Sequence, residues 1–363
     1  MKIRISPIIL ISLLYLTSVQ AQFNLYTNYE GIYDDNIFNT SNNVSDFINS
    51  LSFGSAYNIE SEFNNVQLYY EGSLNLFQTT TSKSFNTHRI GLVETHLFSI
   101  DDNPINAGIN YSFRNNQDEY VVYDFDQISA YANYRHSIGE SDFILPGYIF
   151  NRNNYKNFSL FSHYEHKIFL TYISNFETQT SLTLNTEYSL KQYFEEYNFE
   201  GYLNQASQIK FKVNVGQSIS DLTGLSAFAV YRKNLSDGSR YLVSDSLLYY
   251  EEEIFNDIYS YDGIELGIGF KHYFNEKLEL SLEGRYLIRN YSSLPAVDRN
   301  GVELSAMRED KQFGFGAGLA YDLSNVMNGL SVSATWNYFK NNSNDYYYKY
   351  SNQIISFSFD YGF

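Results

Sequence analysis

From Phe23 to Phe363 apolar and polar side chains alternate in a series of short segments. The clearest are Asn64–Phe77, Ile105–Phe113, Thr180–Lys191, Ser207–Ser218, Gly263–Phe274, Lys277–Arg289 and Gly329–Phe339. Within the first, Val66, Leu68, Tyr70, Leu74 and Leu76 share one parity, and Gln67, Glu71, Ser73 and Asn75 the other. Near the end of the chain, Leu278, Leu280, Leu282, Tyr286 and Ile288 oppose Glu279, Ser281, Glu283, Arg285 and Arg289. In the final segment Ile355, Phe357, Phe359, Tyr361 and Phe363 oppose Ser356, Ser358, Asp360 and Gly362. A period of two predicts β-strands with one apolar and one polar face. Each segment covers or exceeds the roughly 9 to 11 residues that a tilted membrane strand needs. Thr87–Phe98 and Phe143–Phe150 alternate poorly.

The connections alternate as well. Ser99–Pro104, Ser137–Ser141, Ser218–Gly224, Phe274–Lys277 and Leu323–Asn328 are short and rich in Asn, Asp, Gly and Ser, as tight turns require. Between them lie longer polar stretches at Arg114–Asp126, Lys191–Gln205, Lys233–Ile258, Tyr291–Asp310 and Lys340–Ser351. Short and long connections in turn are the pattern of periplasmic turns and extracellular loops. The expected fold is all-β: a transmembrane antiparallel up-and-down β-barrel of about 16 strands, with 14 to 18 admitted by the boundaries. Both ends of the chain then lie in the periplasm, and Lys233–Ile258 and Tyr291–Asp310 lie outside the cell. A soluble sandwich or jelly roll would have to hide every one of these apolar faces against another.

Composition narrows the setting. Lys2 and Arg4 precede an apolar core at Ile8–Leu16, and Val19-Gln20-Ala21 is an acceptable cleavage site. Residues 1–21 are therefore expected to be a signal peptide, and 22–363 the outer-membrane barrel. With 0 Cys the chain carries neither a lipid-acceptor cysteine nor disulfides. Its 36 Tyr and 29 Phe favour strands and membrane interfaces, and only 4 Pro interrupt them. No later apolar run approaches the roughly 20 residues of a membrane helix. A net charge of −17 excludes nucleic acid as the expected partner.

The final strand, with Phe359, Tyr361 and Phe363 in one row, resembles the closing strand of bacterial outer-membrane barrels. That resemblance implies that these three residues form a signal read by the barrel assembly machinery. Tyr29–Phe38 followed by Ser45–Phe53 resembles the opening hairpin of β-barrel porin type 2 proteins. The stretch Tyr338–Phe363 is similar to the barrels of surface lipoprotein assembly modifiers. These likenesses imply a barrel in contact with outer-membrane lipids, and the porin type 2 likeness implies a link to exopolysaccharide export. They transfer no functional residues.

Candidate chemistry is sparse. His136-Ser137 and Ser162-His163 are neighbours on strands, so their side chains point to opposite faces and cannot form a catalytic pair. His136 and Tyr134 share a face and read as an interface or lumen pair. His163 and Glu165 share a face but lack a third metal ligand. The carboxylates of Glu251–Asp257, and Asp34-Asp35-Asn36, read as loop and strand-tip residues with a weaker Ca²⁺ alternative. No catalytic, cofactor or metal site is expected. The polar faces offer Lys210, Lys212, Glu265, Lys271, Glu279, Glu283, Arg285 and Arg289 as lumen-lining residues. In a lumen they set selectivity; in a filled barrel they merely pair across strands. Two functions fit: a porin-like channel for small solutes or polysaccharide export, or a non-conducting, surface-presenting barrel acting as adhesin, receptor or secretion subunit. The loop Lys233–Ile258 is long enough to plug the lumen. Solute and oligomeric state stay open at this level.

Overall fold

The computed structural model describes residues 20–98, 103–195, 203–236 and 258–362. The first half of the sheet consists of β1 (Gln20–Asp34), β2 (Asp46–Glu60), β3 (Asn64–Phe77), β4 (Phe85–His96) and β5 (Ile105–Asn116). It continues through β6 (Phe125–Tyr134), β7 (His136–Ser137), β8 (Asp142–Tyr155) and β9 (His163–Phe176). The second half runs through β10 (Thr180–Tyr193), β11 (Gln205–Ser220), β12 (Thr223–Asn234) and β13 (Tyr261–Tyr273). It ends with β14 (Leu278–Val297), β15 (Glu303–Asp322), β16 (Leu330–Ser343) and β17 (Tyr350–Gly362). All neighbours pair antiparallel, and β1 pairs with β17 from Tyr26↔Gly362 to Asp34↔Ile354, closing the sheet. β6 and β7 flank Arg135 and both pair with β8, so they are one interrupted stave. The result is a closed, up-and-down barrel of 16 staves. Closure leaves no open edge, which is what a membrane demands of a sheet.

Alternation explains which face meets lipid. On β11, β13 and β17 the exposed apolar side chains fall at single parity: Phe211, Val213 and Val215, then Ile264, Leu266 and Ile268, then Ile355, Phe357 and Phe359. In water this wall would be unstable; in a bilayer it is the correct outer surface. The poorly alternating β4 obeys the same rule, with Ile90 outward at 59% exposure. Its flanking outward positions are His88 and His96, which blurred the pattern. Five of the six histidines face outward. His88 and His166 lie near the ends of their strands that join long connections; His96, His136 and His272 lie at the short-turn end. Each meets an aromatic ring: His96 and His272 meet Phe98 and Phe274 edge-on at 4.8 Å, and Tyr134 stacks on His136 at 5.9 Å. They extend the aromatic girdles that flank an apolar band. His163 is the exception, buried inward against the Phe161 carbonyl.

One expected loop is largely strand. Tyr291–Asp310 continues the β14–β15 pairing to Pro295↔Met307 and Val297↔Glu303, through irregular register, and turns only at 298–302. Its polarity marks exposure to water above the membrane, not the absence of pairing. At the same end, the β1–β17 seam is clasped by asparagines. Fully buried Asn36 donates from Nδ2 to the Thr40 carbonyl and to Asn43 Oδ1, both at 2.8 Å, and Asn352 Nδ2 donates to the Asn36 carbonyl at 3.2 Å. Asn39 and Asn43 adopt φ of 51° and 43°, a left-handed geometry that asparagine tolerates. Asp34 and Asp35 accept the backbone N–H groups of Asn36 and Gln353, so both carboxylates serve the clasp. Of the expected leader, only Gln20 and Ala21 are described; their backbones pair with Glu60 and Ile59. Phe363 and the acidic run Glu251–Asp257 lie outside the described residues.

Candidate functional site: the inner wall

The inward face is built by two devices. The first lays aromatic rings along the wall. Tyr26, Tyr69, Tyr131, Phe169 and Phe228 each cover a glycine on the adjacent strand: Gly54, Gly91, Gly108, Gly147 and Gly267. A Cβ at any of these glycines would collide with the ring. Glycine therefore lets a bulky ring lie flat where it would otherwise project into the lumen.

The second device pairs charges. Lys210 Nζ lies 2.8 Å from Glu187, Lys271 Nζ 2.8 Å from Glu279, and Arg285 Nε 3.1 Å from Glu265. Lys212 approaches the Phe228 ring at 5.9 Å. Arg289 sits closer to the long-connection end, buried, with Nη1 4.0 Å from Asp310 and its guanidinium over the Tyr261 ring at 5.6 Å. Glu283 has no ion-pair partner among the described residues. All eight expected residues thus occupy the parity opposite the exposed apolar row. Six of them form or border ion pairs, and the partners Glu187 and Asp310 escaped the sequence reading. Glu187 was recoverable, since it shares parity with Asn185 and Ser189. Glu71 on β3 stands on the polar parity of a clear segment, and its partner Arg89, 3.3 Å away, was obscured by the weak alternation of β4. Glu165 and Lys167, 3.0 Å apart on β9, are a further inward pair.

Small side chains hollow the wall in two places. A cavity of about 560 Å³ is lined by Ser226, Lys271, Ser281, Glu283, Thr335 and Asn337. A second, of about 350 Å³, is lined by Tyr26, Ser52, Glu71, Ser73, Thr87 and Arg89. Each has a carboxylate and a cationic side chain in its lining, Glu283 with Lys271 and Glu71 with Arg89.

At the long-connection end a segment of chain packs against the inner wall. Buried Tyr259, just before β13, donates its hydroxyl to Glu165 Oε1 at 2.7 Å, and its carbonyl accepts from Asn234 Nδ2 at 2.6 Å. The Ile258 carbonyl accepts from Gln208 Nε2 at 2.5 Å. The last part of the connection between β12 and β13 is thereby pinned against the inner wall of β9–β12. The rest of that connection, 237–257, lies outside the described residues. Nearby, Arg308 forms a bidentate pair with Asp310 at 2.5 and 3.1 Å, with its guanidinium over the Tyr348 ring at 3.2 Å. Among the described residues no three His, Cys, Asp or Glu side chains converge to hold a metal ion.

No protein-family model and no curated protein matches the sequence. Solved structures match it over nearly its whole length. OccK5 (OpdH) of Pseudomonas aeruginosa aligns with a TM-score of 0.55 at 11% identity, covering 96% of this chain and 98% of that one. OccAB2 of Acinetobacter baumannii gives 0.53 at 7%, covering 95% and 98%. OccK8 (OprE) of Pseudomonas aeruginosa gives 0.52 at 11%, covering 95% and 98%. These are outer-membrane porins. At such identities the likeness is one of fold, and it carries no residue roles. It reaches the outer-membrane barrel and stops short of the porin type 2 and assembly-modifier families.

Proposed function

We propose that this protein is a porin-like channel passing small solutes across the outer membrane, with the long connections outside the cell. The observation that carries this reading is the inner wall, whose rings lie flat over glycines on the adjacent strands. A barrel whose purpose is only to display loops has no need to keep its aromatics out of its lumen. The eight charged residues, together with Glu71, Arg89, Glu187 and Lys167, line the path in this reading. Because acids and bases are interleaved, the channel discriminates weakly between cations and anions. No catalytic role is part of this reading. Assembly follows the same logic: Phe359, Tyr361 and Phe363, which share one parity of the final sequence segment, carry the signal that the barrel assembly machinery reads, after removal of residues 1–21.

Purified barrel in a planar bilayer tests the channel. Discrete conductance steps are expected. Silence at every voltage would favour the surface-presenting barrel. Polysaccharide export is the larger-solute version of the same function. Liposome swelling separates the two: entry of monosaccharides with exclusion of long oligosaccharides marks a small-solute channel.

A further inference from the structure

On the outside of β8–β10 lies a basic and aromatic cluster that the channel does not use. Arg152 pairs across to Tyr164, on the same face as exposed Ile168 and Leu170. Its guanidinium lies 5.8 Å from the Phe194 ring, which in turn lies 4.6 Å from Tyr164. His166, one outward position below Tyr164, lies 5.2 Å from the Phe150 ring and 2.6 Å, through Nδ1, from the Tyr148 hydroxyl. Arg152 has no carboxylate partner among the described residues, and its buried Nε has no hydrogen-bond partner. The outward carboxylate of neighbouring β6, Asp126, accepts instead from Asn154 at 3.1 Å.

An unpaired guanidinium on a lipid-facing wall is costly unless it reaches a counter-charge. Arg152 lies near the end of β8, where the strand leaves the apolar band, so its side chain extends to headgroup level. The chain as a whole is acidic, so the outward cations at this strand end, Arg152 and Lys156, are not part of a general basic surface.

We propose that Arg152 and His166 form a seat for the phosphate group of an outer-leaflet lipid. The guanidinium offers a planar donor fork that matches phosphate oxygens. In the tautomer in which the Tyr148 hydroxyl donates to Nδ1, the His166 Nε2–H is left to donate to the same headgroup. Phe150, Tyr164 and Phe194 hold both groups in place and cover the upper acyl chain. The outward pair Tyr70–His88, with Nδ1 2.7 Å from the hydroxyl and Phe113 stacked at 4.8 Å, is a natural control. It has similar rings, but Arg89 and Arg114 point inward there, and the one outward cation nearby, Lys156, sits over Phe113 at 6.0 Å as a single ammonium without a guanidinium fork.

The test reconstitutes the barrel in phosphatidylcholine bilayers doped with either diphosphorylated lipid A or its dephosphorylated form. Lipid retained after detergent extraction is counted by native mass spectrometry. The wild type is expected to retain the phosphorylated form preferentially. Arg152→Gln should lower that retention about fivefold, in line with the loss of one charge-assisted contact, and His88→Gln should not. Arg152→Lys should fall between. Equal retention of the two lipids by the wild type, or an Arg152→Gln barrel that retains as much as wild type, would overturn the proposal. If Arg152→Gln fails to fold, the two-lipid comparison on wild type and Arg152→Lys still decides.

Discussion

At the scale of single residues, exposure decides which charges matter to a solute. The Arg285 side chain is 53% exposed and that of Arg289 only 11%. Arg285 and Glu265 form a pair worth about 0.2–1 kcal/mol, so losing it should leave the fold intact. Arg285→Gln should therefore shift the reversal potential toward cations, and Glu265→Gln toward anions, with no change in heat-modifiable gel mobility. Arg289→Gln should shift it less. Arg308 is different, because it is buried together with Asp310. Removing a buried partner typically costs about 3–5 kcal/mol, so Arg308→Ala should loosen the β14–β15 hairpin. Faster proteolysis near residues 298–302 would show it; unchanged cleavage would mean the pair is dispensable. The hairpin tip also responds to acid. The N–H groups of Asn300 and Val302 donate to Asp298 at 2.8 and 2.9 Å and hold its carboxyl below the usual carboxylate range. Their contribution is fully present above the ordinary carboxylate pKa and is lost as pH falls through the lowered one. Amide exchange at Val302, corrected for its intrinsic pH dependence, should speed up in that acid window, and Asp298→Asn should remove the pH dependence.

At the scale of elements, legibility followed the parity of side chains. Strands with clean alternation, such as β11, β13 and β14, were readable with their lumen charges. β4 was not, because outward His88, Glu94 and His96 mimic a polar face. The polar stretch 291–310 misled in another way: pairing depends on the backbone, so a hairpin in water can be polar on both faces. Ion-pair partners such as Asp310 were invisible because register, not sequence, sets who faces whom. The last strand was the most legible, and it carries an assembly prediction. Phe357 and Phe359 face lipid, while Phe363 itself lies outside the described residues. Deleting Phe363 should lower outer-membrane levels of folded barrel more than a change in a loop does. The β1–β17 register from Tyr26↔Gly362 onward does not involve it, so the defect should lie in insertion and not in the stability of barrel already assembled. Normal levels of the truncated chain in whole membranes would remove the role given to the terminal aromatic.

At the scale of the whole molecule, the outer and inner walls pose opposite problems to the same strands. Lipid requires large apolar side chains outside, and a channel requires that large side chains inside not fill it. Strict alternation solves the first problem. Glycine opposite an inward ring solves the second, at positions where glycine would otherwise only weaken a strand. This makes the lumen's width depend on residues without side chains. At Gly267 any Cβ meets the Phe228 ring, so Gly267→Val should push that ring off the wall. The outward face is untouched, so insertion and gel mobility should persist while single-channel conductance falls. Adding Phe228→Ala to Gly267→Val should restore conductance to the wild-type level or above, because the displaced ring is then absent. A Gly267→Val channel that conducts like wild type would show that flat-lying rings do not set the width of the path.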